Sequence, residues 1–219
     1  MKTKKKALLL TACAVLLVVA TVFGTLAYLT AQTDKVDNTF TMGSNVALKL
    51  DEADTDENGV VLTKDGQPVP RVQKNEYKLM PAHQYVKDPT VHVTGEQCYV
   101  FVTVDDGLAQ YEADKTVAAQ IVEHNWVKVD GYDNLYVYVG TETGSTKAIV
   151  SGTEANPTDL VVFDNFTLKN DLTYNDLTAA QTAHITINAY AIQADGFAKT
   201  SPADIWTATG FTGAVKTAG

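Results

Sequence analysis

The sequence contains very little cysteine. Of its 219 residues only Cys13 and Cys98 are cysteines, and Cys13 lies in an apolar run near the N-terminus. A single remaining thiol cannot form a disulfide framework, so core packing has to hold the fold, and a chain of this length can bury enough surface for that. Because Cys98 lies in the middle of an apolar strand pattern, we expect a protonated, inert core thiol.

Basic residues are also scarce and unevenly placed. There are 17 Lys and Arg against 26 Asp and Glu, the formal net charge is -9, and four of the lysines precede the apolar run. An acidic body repels phosphate backbones, so we expect no nucleic-acid partner. Its self-repulsion favours solubility.

Recognisable catalytic motifs are missing as well. There is no glycine-rich phosphate loop, no readable nucleophilic triad and no HExxH zinc motif. The four histidines are spread along the chain as His83, His92, His124 and His184. We therefore predict no catalytic residue, and the sequence favours a protein that is not an enzyme. Lysine, asparagine and acidic residues abound, which leaves an isopeptide cross-link open without selecting a site for one.

Residues 1–27 have the pattern of a signal peptide. A lysine cluster precedes the uncharged apolar run Ala7–Phe23. The small residues Thr25 and Ala27 then form a cleavage site, with Tyr28 as the new N-terminus. We expect contact with a membrane only through the uncleaved leader.

Two other interpretations of the leader compete with cleavage. The run Ala7–Leu29 is long enough to span a bilayer. Leu10–Cys13 resembles a lipobox, but strongly apolar sequence follows Cys13 instead of a polar tether. Gly24 and the polar residues after Ala27 favour cleavage.

Residues 28–219 read as a single, mainly β domain. Alternating apolar and polar residues predict strands at 45–50, 86–93, 97–104, 126–129, 135–139, 147–150, 160–168 and 183–193. Short helices are predicted at 112–124, 175–181 and 202–206, the last with Ser201 as N-cap before Pro202. The pattern is typical of an antiparallel β-sandwich or jelly roll with short helical insertions, preceded by the signal-peptide helix. Residues 51–75 read as an acidic exposed loop or hairpin, and 212–219 as a loose tail.

Several motifs resemble the TasA and camelysin (CalY) family, whose members are exported through a SipW-type signal peptidase. The leader ends in Gly-Thr-x-Ala and is followed by an acidic stretch and Asn38-Thr39-Phe40-Thr41-x-Gly43. Further similar stretches are Tyr77–Pro81, Lys87–Val91, Cys98–Val102 and Ala189–Phe197. Ala82 departs from the family, which typically has Gly after the proline.

The resemblance implies a secreted cell-surface or biofilm-matrix protein of Gram-positive bacteria with a jelly-roll body. It also implies fibre formation, in which the segment after the cleavage site adds as a strand to the next subunit. Val36, Phe40 and Met42 lie on one side of an alternating segment and would be the donor-strand side chains. The alternative for this segment is the first strand of its own sheet. An alternative function, which the camelysin relatives imply, is a secreted metalloendopeptidase.

A third function is a monomeric adhesin that binds calcium or glycans. Asp54, Asp56, Asn58 and Asp65 have the spacing of an EF-hand loop, although Asp65 replaces the usual bidentate Glu. The competing interpretation is a solvated turn with Asn58-Gly59 and Asp65-Gly66 as hairpin signals. No other cofactor is expected. For glycans, the candidates are Tyr132, Tyr136 and Tyr138, which a half-buried sheet face would explain equally well.

Overall fold

The computed structural model describes residues 30–32 and 46–218. The predicted cleavage site at Thr25, Ala27 and Tyr28 lies outside the described residues. So do the donor-strand candidates, which are Val36, Phe40 and Met42.

The described chain is mainly β, with antiparallel pairing throughout its ladders. Its strands are β1 Thr30–Gln32, β2 Val46–Asp51, β3 Thr63–Lys64, β4 Gln67–Pro68, β5 Gln84–Val86, β6 Thr90–Asp106, β7 Trp126–Lys128, β8 Leu135–Tyr138, β9 Val150–Gly152, β10 Thr158–Val161, β11 Asn165–Thr167 and β12 Ile185–Gln193. Its helices are α1 Val117–Glu123, α2 Tyr174–Ala180 and α3 Pro202–Thr209, with a 3-10 turn at Ala109–Tyr111. This confirms an antiparallel fold with short helices that is consistent with a sandwich. The jelly-roll topology stays a prediction.

The long strand β6 organises the main sheet. Gly95 pairs with β2 and also with β9, so these two strands lie on opposite sides of β6. Cys98 pairs with both β12 and β9, which puts β12 on the same side as β2. The strands β8 and β10 share the side of β9. Beyond them, β7 pairs with β8, and β1 pairs with the outer side of β12.

Both faces of β6 are buried, as its sequence predicts. Val100 and Val102 face a cluster that includes Tyr85 of β5 and Phe166 of β11. Phe101 faces the opposite cluster, whose members come from β8, β12 and α3. Cys98 is buried in the first cluster, and burial raises the pKa of its thiol to about 12. The thiol is therefore protonated at neutral pH.

Local capping determines where the helices begin. The Thr116 side chain accepts from the N–H of Ala119 at the start of α1, and Thr173 forms a capping box with Asp176 at α2. At α3, Ser201 is the N-cap and proline takes the first turn, as predicted. These side chains bond N–H groups that have no partner within the helix.

Some predicted element boundaries are wrong. The segment 160–168 is two strands, because the chain leaves β10 at residue 162 and joins β5 through β11. Between the two strands, the side-chain Oε1 of Gln120 accepts from the N–H of Asp164 (3.2 Å) and of Asn165 (3.3 Å). The helix expected from residue 112 begins only at Val117. The strand expected at 147–150 lies at 150–152.

The C-terminal tail is attached rather than loose over residues 212–218. The N–H of Asp133 donates to the carbonyl of Val215 (2.8 Å), and the N–H of Val215 donates to Asn134 Oδ1 (2.8 Å). The prediction missed this attachment because the tail has no strand pattern of its own.

The chain makes a turn at Ala82, the position where the sequence departs from the family pattern. Ala82 has φ of 57°, in the left-handed region, and its N–H donates to the carbonyl of Lys169 (3.0 Å). This conformation favours glycine, the residue that the resemblance leads one to expect there.

Candidate functional site

The first candidate site is the outer side of β12, where β1 pairs. Thr30 lies opposite Ile192, Ala31 opposite Ala191 and Gln32 opposite Tyr190. Strand β1 begins two residues after the predicted new N-terminus. An antiparallel pair here therefore joins the start of the predicted mature chain to the main sheet.

Strand β12 is held in place because both of its faces are buried. Ala189 and Ala191 pack in the cluster beneath the sheet, and Tyr190 and Ile192 pack in the cluster above it. The Tyr190 ring lies edge-on against Trp206 of α3, with centroids 4.9 Å apart. Its hydroxyl donates to the carbonyl of Thr212 (2.8 Å). The packing therefore fixes the backbone N–H and C=O groups of β12 on the side where β1 pairs.

The second candidate is a charged cluster around Arg71, beside β2. The guanidinium donates to Asp51 Oδ1 (2.5 Å), to Asp88 Oδ2 (2.9 Å) and to Thr90 Oγ1 (2.9 Å). Burial raises the pKa of Asp51, but hydrogen bonds from His92, Lys49 and Arg71 outweigh it, and the pKa lies below its ordinary value. The cluster ties the segment after β4 to the main sheet.

His92 extends this cluster to the surface. Its Nε2 lies 2.9 Å from Asp51 Oδ1, and its Nδ1 lies 2.6 Å from Asp159 Oδ1. An open pocket of about 550 Å³ lies alongside, lined by Lys49, Arg71, His92 and Glu154 among others. Protein oxygens already occupy the donors of Arg71, so the arrangement suits a structural clamp better than a ligand site.

The calcium candidates lie in two separate turns. Asp56 Oδ1 accepts from the N–H groups of Asn58 and Val60, both at 2.9 Å. Asp65 lies in the hairpin turn between β3 and β4, with φ of 54°. Within the described ranges, no group of three or more His, Cys, Asp or Glu side chains is placed to hold a metal. Calcium binding by Asp54, Asp56, Asn58 and Asp65 stays a prediction.

The segment 51–75, predicted to be exposed, is only partly exposed. Its hairpin β3–β4 is exposed, whereas Asp51, Glu52 and Thr55 are buried. Gly59 packs closely on Tyr85, because a Cβ at this position would lie 2.6 Å from the Tyr85 Cα.

The tyrosines proposed as a sugar platform do not share one surface. Tyr132 belongs to the cluster with Trp206, whereas Tyr136 and Tyr138 pack against the opposite cluster. Two of the histidines also lie apart: His83 contacts the carbonyl of Asn58 (2.8 Å), and His124 contacts Asp164 (3.0 Å).

Sequence reasoning missed a buried carboxyl group at Glu112. The residue is 3% exposed, and its Oε2 accepts from the N–H of Val117 (2.9 Å). Its Oε1 has no hydrogen-bond partner among the described residues. Burial, with a contribution from the charge of Asp106, raises the pKa of Glu112 to about 7. No sequence signal marks it, since it falls in a segment predicted to be an ordinary helix.

No family model, curated protein or solved structure matches this chain. In the part of the chain that the structure describes, none of the helices has the length and apolar character that crossing a bilayer requires.

Proposed function

We propose that this chain is a secreted, non-enzymatic cell-surface or matrix protein. Its N-terminal segment would join subunits into fibres by adding a strand to the outer side of β12 of the next subunit. The observation that carries the proposal is the position of β1. Residues 30–32, which begin two residues after the predicted new N-terminus, pair with this side of β12.

The physical basis is β-augmentation. An extended segment supplies main-chain hydrogen bonds to a sheet edge, and alternate side chains provide specificity. Strand β1 covers three positions of a nine-residue strand. At about 0.5–1.5 kcal/mol for each net hydrogen bond, so short a pairing opens readily.

Exchange between molecules needs no new kind of contact. A neighbour's segment makes the same antiparallel pairs that β1 makes within its own chain. Each subunit then gives one strand and accepts one, which is a head-to-tail contact, and such contacts produce open filaments when the rotation between subunits does not close a ring. While the leader is attached, the donor segment stays tethered to the membrane. Cleavage by a SipW-type peptidase would release it for assembly.

Electron microscopy of the purified protein starting at Tyr28 tests the proposal. We expect filaments from this form and none from a variant that lacks residues 28–42. The control is Lys74→Ser, which changes an exposed side chain that pairs with the exposed Glu76 and should leave filaments intact. An intact protein that stays monomeric across pH and salt would contradict the proposal.

A further inference from the structure

A lysine, a glutamate and an asparagine form a hydrogen-bonded chain next to the end of β2. Lys87 Nζ donates to Glu52 Oε2 (2.5 Å), and Asn75 Nδ2 donates to Glu52 Oε1 (2.8 Å). The side chains of Lys87 and Glu52 are only 12% and 5% exposed. One buried carboxylate therefore bridges an amine and a carboxamide.

The backbone holds each member of this triad in place. Glu52 exchanges two backbone hydrogen bonds with Val72, of 2.7 and 2.8 Å. Lys87 directly follows β5, and its N–H donates to the carbonyl of Asp164 (3.1 Å). Three segments distant in sequence thus meet here in a defined geometry.

The carboxamide of Asn75 is oriented by two further bonds. Its Oδ1 accepts from the N–H of Thr55 (2.9 Å), and its Nδ2 also donates to the carbonyl of Ala53 (2.8 Å). The N–H of Thr55 points at the oxygen on which negative charge would develop if a nucleophile attacked the amide carbon. This is the arrangement that stabilises an oxyanion.

The surroundings are aromatic and largely buried. The Tyr77 hydroxyl donates to the carbonyl of Val86 (2.9 Å), and its ring packs edge-on against Tyr85 and Phe166. Burial, together with the nearby charge of Glu52, raises the pKa of Tyr77 well above its ordinary value. A cavity of about 60 Å³ also borders Glu52 and Lys87. This is room for a small molecule beside the carboxylate, since a cavity of about 10–15 Å³ already holds one water.

We propose that Lys87 and Asn75 form an intramolecular isopeptide bond, with Glu52 as the proton-transfer group. Glu52 takes a proton from the Lys87 ammonium, and the freed lone pair of Nζ attacks Cγ of Asn75. The N–H of Thr55 stabilises the oxyanion. The bond from Cγ to Nδ2 then breaks, and Glu52 returns the proton to the departing nitrogen.

The reaction balances without an added reagent. An amine and a primary amide become a secondary amide and ammonia, which leaves with the remaining proton as ammonium. Nothing is oxidised or reduced. The bond would tie the segment after the β3–β4 hairpin to the end of β5, as a covalent link in a body whose single buried cysteine cannot supply a disulfide. The proposal does not depend on fibre formation.

Two nearby ion pairs lack the features that the reaction needs. Arg71 pairs with the buried Asp51, but a guanidinium stays protonated and is no nucleophile. Lys74 pairs with Glu76, but their side chains are 77% and 84% exposed, so water solvates the ammonium.

The intact mass of the purified, folded mature protein tests the proposal directly. We expect a mass lower than that of the sequence by one ammonia, and a branched proteolytic fragment that joins Lys87 to Asn75. Lys87→Arg keeps a cation beside Glu52 and should restore the full mass, as should Asn75→Ala. Lys74→Arg is the matched control and should keep the deficit.

Cyclisation of Asn75 to a succinimide also releases ammonia, so the variants have to separate the two reactions. The succinimide needs no lysine, and a deficit that persists in Lys87→Arg would overturn the proposal. So would a wild-type protein that keeps the full sequence mass after days in the folded state at neutral pH. Because the wild-type mass needs no substitution, this second outcome counts even if every variant fails to fold.

Discussion

Strand β12 is paired very differently on its two sides. On the inner side it pairs with β6 over nine positions, from Ile185 opposite Asp106 to Gln193 opposite Cys98. On the outer side it pairs with β1 over three positions. One strand therefore has a long partner within the body of the protein and a short partner from the start of the predicted mature chain.

The difference indicates which side is permanent and which can exchange. The β6–β12 pair lies between two buried clusters, and burial of apolar surface contributes about 25 cal/mol per Å² in addition to the hydrogen bonds. The β1 pair is three residues long, so its contribution to the free energy of unfolding is small. The proposed donor strand has to leave its own sheet without unfolding the body, and of the two sides of β12 the outer one fits that condition.

Removing the tryptophan that packs on the β6–β12 pair should have the largest effect on the free energy of unfolding. Trp206 is 4% exposed and contacts Phe101 of β6 and Tyr190 of β12. Trp206→Ala should lower the free energy of unfolding by about 3–5 kcal/mol, measured by urea denaturation, and assembly should fail with it. The exposed Tyr174 is the control, and Tyr174→Ala should change the value by less than about 0.5 kcal/mol. Equal effects of the two variants would contradict this packing.

The free energy of unfolding should depend on pH through Glu112. This residue is close to Asp106, at the end of the β6–β12 pair that is farthest from β1. The charge of Asp106, which ends β6, contributes to the raised pKa of Glu112. Because that pKa rises from 4.5 to about 7, the native state binds more protons than the unfolded chain between these values. The contribution of Glu112 to the free energy of unfolding is fully present below pH 4.5. It is lost as the pH rises to about 7, which lowers the free energy of unfolding by up to about 3 kcal/mol.

Glu112→Gln removes this titration. Urea midpoints should show the variant to be more stable than the wild type at pH 8, by about 1–3 kcal/mol, with little advantage at pH 4. Glu123→Gln, at an exposed position, should follow the wild-type profile. Parallel profiles for Glu112→Gln and the wild type would rule out a buried, neutral carboxyl group.

A smaller effect is expected where β12 meets the tail. Tyr190→Phe removes the hydroxyl that donates to the carbonyl of Thr212 and should cost about 1 kcal/mol. The hydroxyl of Tyr132 lies 3.4 Å from Thr207 Oγ1, a longer contact, so Tyr132→Phe should cost less. Thermal denaturation of the pair measures the difference, and the reverse order would contradict the tail attachment.

The smallest effect on unfolding is expected on the outer side. Successive residues of an edge strand alternate in which N–H faces the partner strand, so Ala31→Pro combined with Gln32→Pro removes at least one ladder donor. The free energy of unfolding should change by about 0.5 kcal/mol, the lower end of the range for one net hydrogen bond, whereas filaments should be lost. Serine at both positions keeps the N–H groups and should keep the filaments. Filaments from the proline variant would show that assembly does not need the pairing of β1, which would contradict the proposal.

The sequence predicts the inner side of β12 well and the polar sites poorly. The alternation in β6 and β12 predicts two strands with buried faces, and Ser201-Pro202 predicts the start of α3, because these signals are local. The break at 162–164 begins inside the apolar run Leu160–Phe163, and it depends on Gln120, which is distant in the sequence and accepts from the N–H groups of Asp164 and Asn165. Glu52, Asn75 and Lys87 are far apart in the chain, so only the folded backbone brings them together.

A cysteine pair across the outer side of β12 tests strand addition most directly. Ala31 lies opposite Ala191, and opposite residues of an antiparallel ladder have Cα atoms about 4.5–5.5 Å apart, within reach of a disulfide. After oxidation of assembled Ala31→Cys, Ala191→Cys protein, we predict covalent multimers on a non-reducing gel, and monomers after reduction. Only intrachain disulfides in assembled material would contradict strand addition between subunits.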